Sequence, residues 1–165
     1  MNLLYLFDLL GVMVFAISGS LCAGRKSLDI FGVVLISLVT ALGGGTLRDL
    51  LIGNTPVLWI RDPIYLWAGI VASLGTVLLL RGYRLRLRWL LYADAFGLAI
   101  FTAIGVQVAV AKGVDPLIAV LMGVMTGTFG GLLRDVLTNE IPLLLQKEIY
   151  ALAAMAGAII YLLVS

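Results

Sequence analysis

The sequence predicts an all-α integral membrane protein, and three observations carry this prediction. Hydrophobic residues form 62% of the 165 residues and charged residues 12%, and the mean hydropathy is +1.16. A soluble core does not need this much apolar surface, whereas a bilayer accommodates it. Stretches long enough for a membrane helix, which takes roughly 20 apolar residues, recur along the chain. The six stretches cover about 3–23, 30–53, 63–80, 89–110, 116–138 and 145–164.

The two halves of the chain repeat each other. A shift of 86 positions, without a gap, places polar residues and glycines of residues 1–82 on those of residues 89–165. Matches of this kind carry more weight than apolar matches and indicate an internal repeat. Each half has three spans, an odd number, so we predict an inverted repeat of two three-helix units, joined by a basic loop at 83–88. The matches include Asp8 with Asp94, Phe15 with Phe101, Gly19 with Gly105, Asp29 with Asp115, Thr40 with Thr126, Arg48 with Arg134, Asp49 with Asp135, and Pro56 with Pro142.

The basic residues predict the orientation of the spans, because lysine and arginine concentrate on the cytoplasmic side. An N-terminus outside the cytoplasm places eight basic residues on the inner side and three on the outer side. We therefore expect a multi-pass protein of the cell membrane with an extracytoplasmic N-terminus. The inner set is Arg25, Lys26, Arg81, Arg84, Arg86, Arg88, Arg134 and Lys147, and the outer set is Arg48, Arg61 and Lys112.

The composition argues against several functional classes. Histidine is absent, and the single cysteine, Cys22, lies in an apolar segment, so we expect neither a metal cluster nor a disulfide framework. The net charge of +2 is small and the arginines are dispersed, which argues against a nucleic-acid surface. No nucleophile with an adjacent base is visible, so we expect no enzymatic activity and no cofactor.

Two glycine-rich segments, "TALGGGTLRDLL" and "TGTFGGLLRDVL", lie inside the second and fifth spans. Glycine costs about 1 kcal/mol of helix propensity per residue. The glycines at 43–45, and Gly130 with Gly131, therefore predict places where a membrane helix bends or unwinds. The glycines of the first segment are Gly43, Gly44 and Gly45.

A small and polar stripe follows one face of each of these two spans. Such stripes often serve only to let helices pack closely. An arginine inside the membrane changes that preference, because a charge is expensive there and usually marks a pathway or a pairing partner. We expect the two stripes to oppose each other along a permeation pathway. The stripes are Ser37, Thr40, Gly44 and Arg48 in the second span, and Gly123, Thr126, Gly130 and Arg134 in the fifth.

Each arginine has two candidate partners. The depth of the residues in their spans predicts that Asp8 pairs with Arg48 at one mouth of the pathway and Asp94 with Arg134 at the other. Neighbouring residues on a helix point about 100° apart, so the carboxylates that follow the arginines are less favoured partners. We expect those two to face water, a neighbouring subunit or the helix backbone. They are Asp49 and Asp135.

Five segments carry a resemblance to a known family: "DLLGVMVFAISG", "GGGTLRDLL", "RDPIYLW", "GVMTGTFGGLLRDVL" and "EIPLLLQKEIYA". Together they resemble the prokaryotic branch of the trimeric intracellular cation (TRIC) channel family, formerly grouped under a "glycine transporter" label. The resemblance covers essentially the whole chain, and the doubled glycine-rich motif before Arg-Asp is its most specific part.

The resemblance implies a homotrimer in which each subunit has its own pore for monovalent cations, chiefly potassium. That pore would run between glycine-kinked spans two and five. Phe129 departs from the doubled motif, since it stands where the first half has Gly43, and we expect it to stiffen the kink or to help close the pore. The family has a seventh span, whereas this sequence ends at Ser165 after six.

Two functions of different class remain open from the sequence. One is a passive potassium- or sodium-permeable channel, lined by hydroxyls and helix carbonyls that replace part of the cation's water shell. The other is an alternating-access transporter of a small solute such as glycine, which an inverted repeat fits equally well. A weaker third is a lipid-interacting structural protein, and anionic lipid is a possible partner of Arg81, Arg84, Arg86 and Arg88. The candidate pore hydroxyls are Ser37, Thr40, Thr46, Thr126 and Thr128.

Overall fold

The computed structural model describes residues 3–80, 87–146 and 148–164, and every regular element in these ranges is an α-helix. The all-α prediction is therefore confirmed. The helices are α1 (Leu3–Arg25), α2 (Ile30–Leu51), α3 (Leu58–Arg61), α4 (Ile64–Leu80), α5 (Leu87–Ala111), α6 (Pro116–Leu137), α7 (Leu143–Gln146) and α8 (Glu148–Val164).

The six expected spans correspond to the six long helices. By length and composition, α1, α2, α5 and α6 are long and apolar enough to cross a membrane. The apolar helices α4 and α8 are shorter, at 17 residues each. The one-turn helices α3 and α7 were not predicted, and each begins within two residues of a proline, Pro56 or Pro142.

The helix starts show why the chain folds this way locally. Asp29 caps α2, where its carboxylate accepts a hydrogen bond from the backbone N–H of Gly32 at 2.7 Å. Asp115 caps α6 in the same way and accepts from the N–H of Leu117 at 2.8 Å. A carboxylate at this position satisfies an N–H that the first helical turn leaves unpaired.

The turns that follow the helices also match between the halves. After α1 and α5 the left-handed backbone conformation falls on Ser27 (φ 54°) and Gly113 (φ 71°). After α2 and α6 it falls on Gly53 (φ 67°) and Asn139 (φ 54°). Both pairs are 86 residues apart, so the sequence offset also relates the turns.

The long helices α1, α2, α6 and α5 form a closed ring in which each contacts the next. Helix α4 packs outside the ring on α1 and α2, and α8 packs outside it on α6 and α5. Where α1 and α5 meet, Phe15 and Phe101 lie 5.2 Å apart between ring centroids. A side chain on Gly97 would overlap the Phe15 ring, and one on Gly11 would approach the Phe101 ring at 3.1 Å. Each aromatic ring is thus accommodated by a glycine on the opposite helix.

Part of the expected basic loop can be placed. Arg88 is exposed near the start of α5. Four other residues of the predicted inner set lie outside the described residues, namely Arg81, Arg84, Arg86 and Lys147.

Candidate functional site

The two predicted stripes face each other, and they meet in direct contact. A Cβ on Gly44 of α2 would overlap the backbone carbonyl of Thr126 on α6. Reciprocally, a Cβ on Gly130 of α6 would overlap the backbone carbonyl of Thr40 on α2. Glycine is needed at both positions because the two backbones approach closely. At this level the stripes leave no open space between α2 and α6.

Neither helix unwinds at its glycines, so the expectation of an unwound segment is wrong, while the expected bend stays a prediction. Both α2 and α6 run without interruption from their capping aspartates through the glycine-rich segments. The glycines serve close packing at Gly44 and Gly130. At Gly43 a Cβ would lie 2.8 Å from a methyl carbon of Leu133 on α6, so this glycine also faces the neighbouring helix.

The five candidate pore hydroxyls share one hydrogen-bonding mode. Each donates to the backbone carbonyl four residues earlier in its own helix, at distances of 2.6 to 2.8 Å. These protons are therefore engaged, while oxygen lone pairs remain available to other partners. The five are Ser37, Thr40, Thr46, Thr126 and Thr128.

Helices α1 and α5 cover the middle of the stripes. A Cβ on Gly19 of α1 would lie 2.7 Å from the Cα of Ser37. A Cβ on Gly105 of α5 would lie 2.6 Å from the hydroxyl oxygen of Thr126. Ser37 is fully buried, and its hydroxyl also lies 2.8 Å from that of Ser20 on α1. The stripe hydroxyls are thus enclosed by the four-helix ring in this conformation.

Arg134 forms the centre of a buried cluster at one end of α6. Its Nη1 donates to Asp94 on α5, as predicted, and to the Ser18 hydroxyl on α1 at 2.6 Å. Its Nε donates to Asp135 at 2.8 Å. The Tyr150 hydroxyl on α8 donates to the second oxygen of Asp94 at 2.5 Å. We call these five residues the Arg134 cluster, and they connect α1, α5, α6 and α8.

Arg48 forms the matching cluster near the end of α2, but its partners differ. Its Nε and Nη2 donate to Asp49 at 3.0 and 2.8 Å, and no ion pair with Asp8 forms. Asp8 instead accepts from the Tyr65 hydroxyl on α4 at 3.2 Å. We call these four residues the Arg48 cluster. The predicted contact between Asp8 and Arg48 is wrong for this conformation.

The pairing of each arginine with the next residue corrects a second expectation. The roughly 100° between neighbours on a helix separates the Cβ atoms, but a long arginine side chain can bend back across that angle. Asp49 and Asp135 do not point into water, because each caps the loop that follows its helix. Asp49 accepts from the backbone N–H of Leu58 at 3.2 Å, and Asp135 from that of Leu143 at 3.0 Å.

Sequence reasoning missed the hydroxyl donors of these clusters. The Tyr65 side chain is almost fully buried, at 1% exposure. Tyr65 and Tyr150 are 85 residues apart, one fewer than the repeat offset, so a shift without gaps does not align them with each other. The signal was a one-residue deletion between Pro142 and Tyr150. Ser18 carries no such signal, since its equivalent position is Ile104.

Phe129 lies away from the contact between the two stripes. It is half-buried and lines an apolar groove of about 440 Å³ with Leu42, Leu133 and Trp59 on the outer side of α2 and α6. In this conformation it does not close a passage between the stripes. The indole N–H of Trp59 donates to the Thr46 hydroxyl at 3.0 Å, at the edge of the same groove.

An ion pair connects two loops next to the Arg134 cluster. The Lys26 ammonium lies 2.6 Å from the Glu140 carboxylate. The hydrogen bond and charge of Lys26 lower the pKa of Glu140 below its ordinary value. The same two segments also meet at the Cys22 thiol and the Thr138 hydroxyl, which lie 3.4 Å apart. The turn after α1 is therefore held to the loop after α6.

Among the described residues, no group of three or more acidic or cysteine side chains could hold a metal ion.

Known proteins resemble this chain over nearly its whole length. A family model described as "Glycine transporter" matches residues 5–81 and 91–165. A UPF0126 membrane protein of Vibrio cholerae is 48% identical over 161 residues, which are 97% of this chain and 67% of that protein. The UPF0126 inner membrane protein YadS of Escherichia coli is 48% identical over 160 residues, 96% of this chain and 77% of that protein.

Solved structures show the same fold. A TRIC trimeric intracellular cation channel orthologue from Rhodobacter sphaeroides superimposes with a TM-score of 0.92 at 42% identity, over 98% of this chain and 84% of that chain. A prokaryotic TRIC channel crystallised in 0.5 M KCl superimposes with a TM-score of 0.88 at 37% identity, over 96% and 82%. The protein is thus a multi-pass membrane protein, and the chain belongs to the prokaryotic TRIC channel family, whose family model bears the description "Glycine transporter".

Proposed function

We propose that the protein is a passive channel for monovalent cations, with potassium and sodium as permeant ions and one pathway in each subunit of a homotrimer. The likeness to a solved trimeric cation channel, at a TM-score of 0.92 and 42% identity over 98% of the chain, carries this proposal. The structural neighbours are channels and not enzymes. We accordingly assign no catalytic residue and no cofactor.

The proposed pathway runs between α2 and α6, with the Arg48 cluster at one end and the Arg134 cluster at the other. Each cluster holds two carboxylates and one guanidinium, which leaves a formal charge of −1 and favours cations over anions. We assign both clusters the role of electrostatic filters that also hold the helix ends. Charged groups this deep in apolar helices are expensive, which supports a functional role.

The described conformation is closed in this view, because Gly44 and Gly130 bring the two backbones together. Conduction requires α2 and α6 to separate or bend at these glycines. Because the stripe hydroxyls donate their protons to their own helices, lone pairs would face the opened passage. Oxygen lone pairs are the groups that replace the water shell of a cation.

The repeat supports an arrangement of the halves across the membrane. We propose that residues 1–82 and 89–165 form two units of opposite orientation, joined by the basic loop 83–88, with the N-terminus outside the cytoplasm. The matched capping aspartates, left-handed turns and ring contacts support the repeat. The exposed Arg88, the last residue of that loop and part of the first turn of α5, would then face the cytoplasmic leaflet, where anionic lipid is the expected neighbour.

Recording from purified protein in a planar bilayer under a potassium chloride gradient tests the proposed function. We expect stepwise single-channel currents whose reversal potential lies near that of potassium. Protein that is correctly folded and trimeric but passes no current would refute the channel. The same preparation tests the alternative, transport of a small solute, which rests on the description of the family model. Saturable glycine uptake into vesicles without unitary currents would favour that alternative.

The opposite orientation of the halves has its own test. Lys26 and Lys112 are equivalent in the repeat and both exposed. Replacing each with cysteine in a Cys22→Ser background should give labelling by a membrane-impermeant maleimide from opposite sides of the membrane. Labelling of both cysteines from one side would refute the inverted repeat, without bearing on whether the protein conducts.

A further inference from the structure

An open groove of about 450 Å³ runs between α5 and α8. The two helices run in the same direction, since Tyr150 contacts Asp94 and Tyr161 contacts Gln107 farther along both helices. Most of the side chains that line the groove are small and apolar, and none of them is charged. They include Ala95, Ala99 and Ala103 of α5 and Ala153, Gly157 and Val164 of α8. The groove therefore suits an apolar occupant.

The repeat explains why the second half has this groove. In α1 the positions equivalent to the three alanines carry larger side chains. Two of these, Leu9 and Ile17, pack against the core cluster that contains Tyr65 and Ala72 of α4. Large side chains of α1 thus occupy the space beside α4 that alanines leave open beside α8. The three equivalent residues are Leu9, Met13 and Ile17.

A basic and aromatic rim precedes the groove on α5. Arg88 is exposed and lies seven residues before Ala95, close to two full helical turns, so both residues lie on the same side of the helix. Tyrosine and tryptophan are typical of the membrane interface, and three exposed aromatic residues accompany Arg88. They are Trp89, Tyr92 and Phe96. The equivalent residues of the first half are Asn2, Leu3, Leu6 and Leu10, so the first half has neither the groove nor the rim.

The charges at the rim favour an anionic group. Arg88 lies in the first turn of α5, which contains no acidic residue, and the helix dipole is positive at this end. The first turn of the neighbouring α8 contains Glu148. This carboxylate lies nine residues before Gly157, about 180° around the helix, so it is on the face opposite the groove. An anion beside Arg88 would therefore meet a positive charge at the end of an apolar groove.

The dimensions match one lipid in one leaflet. At 1.5 Å per residue, the lining from Ala95 to Ala103 is about 12 Å long, and that from Ala153 to Val164 is about 17 Å long. The hydrocarbon of one leaflet is about 15 Å thick, half of the bilayer core. The distance from Arg88 to Ala103 along α5 is about 22 Å, and one leaflet with its headgroups is roughly 20–22 Å thick.

We propose that the groove between α5 and α8 binds an acyl chain of an anionic phospholipid whose phosphate lies at Arg88. The chain fills the space that larger side chains of α1 fill in the first half. Because lipid tails are as apolar as the groove, burial of the chain does not select the lipid, and the charge of Arg88 does. This inference deepens the lipid contact and rests on the orientation given under the proposed function, but it does not depend on conduction.

Photo-crosslinking of the purified full chain in mixed micelles tests the site. The probe is phosphatidylglycerol with a diazirine in one acyl chain, and mass spectrometry locates the adducts, which we expect within 95–103 and 153–164. Ala99→Met should remove these adducts, because its side chain enters the groove. Ala156→Met, at an exposed position of α8 outside the lining, is the matched control and should retain them.

Competition with unlabelled lipid tests the role of Arg88. Phosphatidylglycerol should compete about fivefold better than phosphatidylcholine, which corresponds to roughly 1 kcal/mol for one basic residue near an anionic lipid. Arg88→Gln should remove this preference. Arg25→Gln is the matched control, since Arg25 is also exposed and basic but ends α1, and it should leave the preference intact.

Several results would overturn the site. They are adducts spread evenly over the exposed helix faces, adducts that Ala99→Met retains, and equal competition by the two lipids. Ala99→Cys in a Cys22→Ser background tests another occupant, a second copy of the chain. Efficient oxidative crosslinking between copies at this position would overturn the lipid site. A protein that conducts potassium but lacks the adducts refutes this inference alone. A protein with the adducts that passes no current refutes the proposed function and leaves the lipid site standing.

Discussion

The free energy of unfolding should respond very differently in the two arginine clusters when one carboxylate and the arginine of the same cluster are replaced by neutral residues. The perturbations are Asp94→Asn and Arg134→Gln, singly and together, compared with Asp8→Asn and Arg48→Gln. Asp94 and Arg134 are in direct contact and 1% and 0% exposed, so removal of either charge leaves the other buried and unpaired. Breaking a buried pair costs about 3–5 kcal/mol.

The structure sets the coupling expected in each cycle. For Asp94 with Arg134, the double variant should recover part of the loss, with a coupling energy of about 2–3 kcal/mol. For Asp8 with Arg48, which form no ion pair, the coupling energy should be clearly smaller than for Asp94 with Arg134. A third cycle, Arg48→Gln with Asp49→Asn, provides the positive control. It uses the same arginine with the partner that it does contact, at 2.8 Å.

The assay is reversible unfolding in mixed micelles, followed by the loss of helical circular dichroism and analysed as a double-mutant cycle. All variants must first be shown to form the same oligomer, so that free energies of unfolding refer to one native state. Equal coupling in the Asp8 and Asp94 cycles would refute the reasoning. It would mean that Arg48 contacts Asp8 in the membrane and that the asymmetry between the clusters is not a property of the folded protein.

The remaining predictions concern packing, a loop ion pair and a hydroxyl donor. Gly44→Ala should destabilise the protein by about 1–3 kcal/mol, the usual cost of overpacking, in the same unfolding assay in which Gly75→Ala does not; an unchanged Gly44→Ala would refute the close approach of α2 and α6. Because the folded-state pKa of Glu140 lies below its ordinary value of 4.5, its contribution is present above about pH 4.5 and is lost as the pH falls through the folded pKa. A pH series of unfolding midpoints should show this loss in the unmodified protein, and Glu140→Gln should remove it; an identical series in both would contradict the ion pair. Tyr150→Phe should cost about 1.5–3 kcal/mol, the range for a hydrogen bond to a charged group, and more than Tyr65→Phe, whose hydroxyl lies farther from its carboxylate; the reverse order would contradict the two geometries.

Much of the fold follows from the sequence because the physical signals are local. Six apolar stretches, capping aspartates and turn glycines specify where helices begin and end, and a membrane helix satisfies its own backbone. The repeat offset also predicts which helices are equivalent. The contact between Asp94 and Arg134 could be predicted because both side chains face the interior at similar depth.

The tertiary structure decided what those residues contact. Local spacing identifies the face that carries Gly44, but whether glycines on that face unwind the helix or allow a close contact depends on the opposite helix. Here the Thr126 carbonyl lies against Gly44, so the glycines serve packing and the helix stays continuous. Whether Arg48 pairs with Asp8 or with Asp49 likewise depends on donors from other elements. The Leu58 N–H donates to Asp49, and the Tyr65 hydroxyl donates to Asp8. Such contacts join residues far apart in the chain, and no local periodicity encodes them.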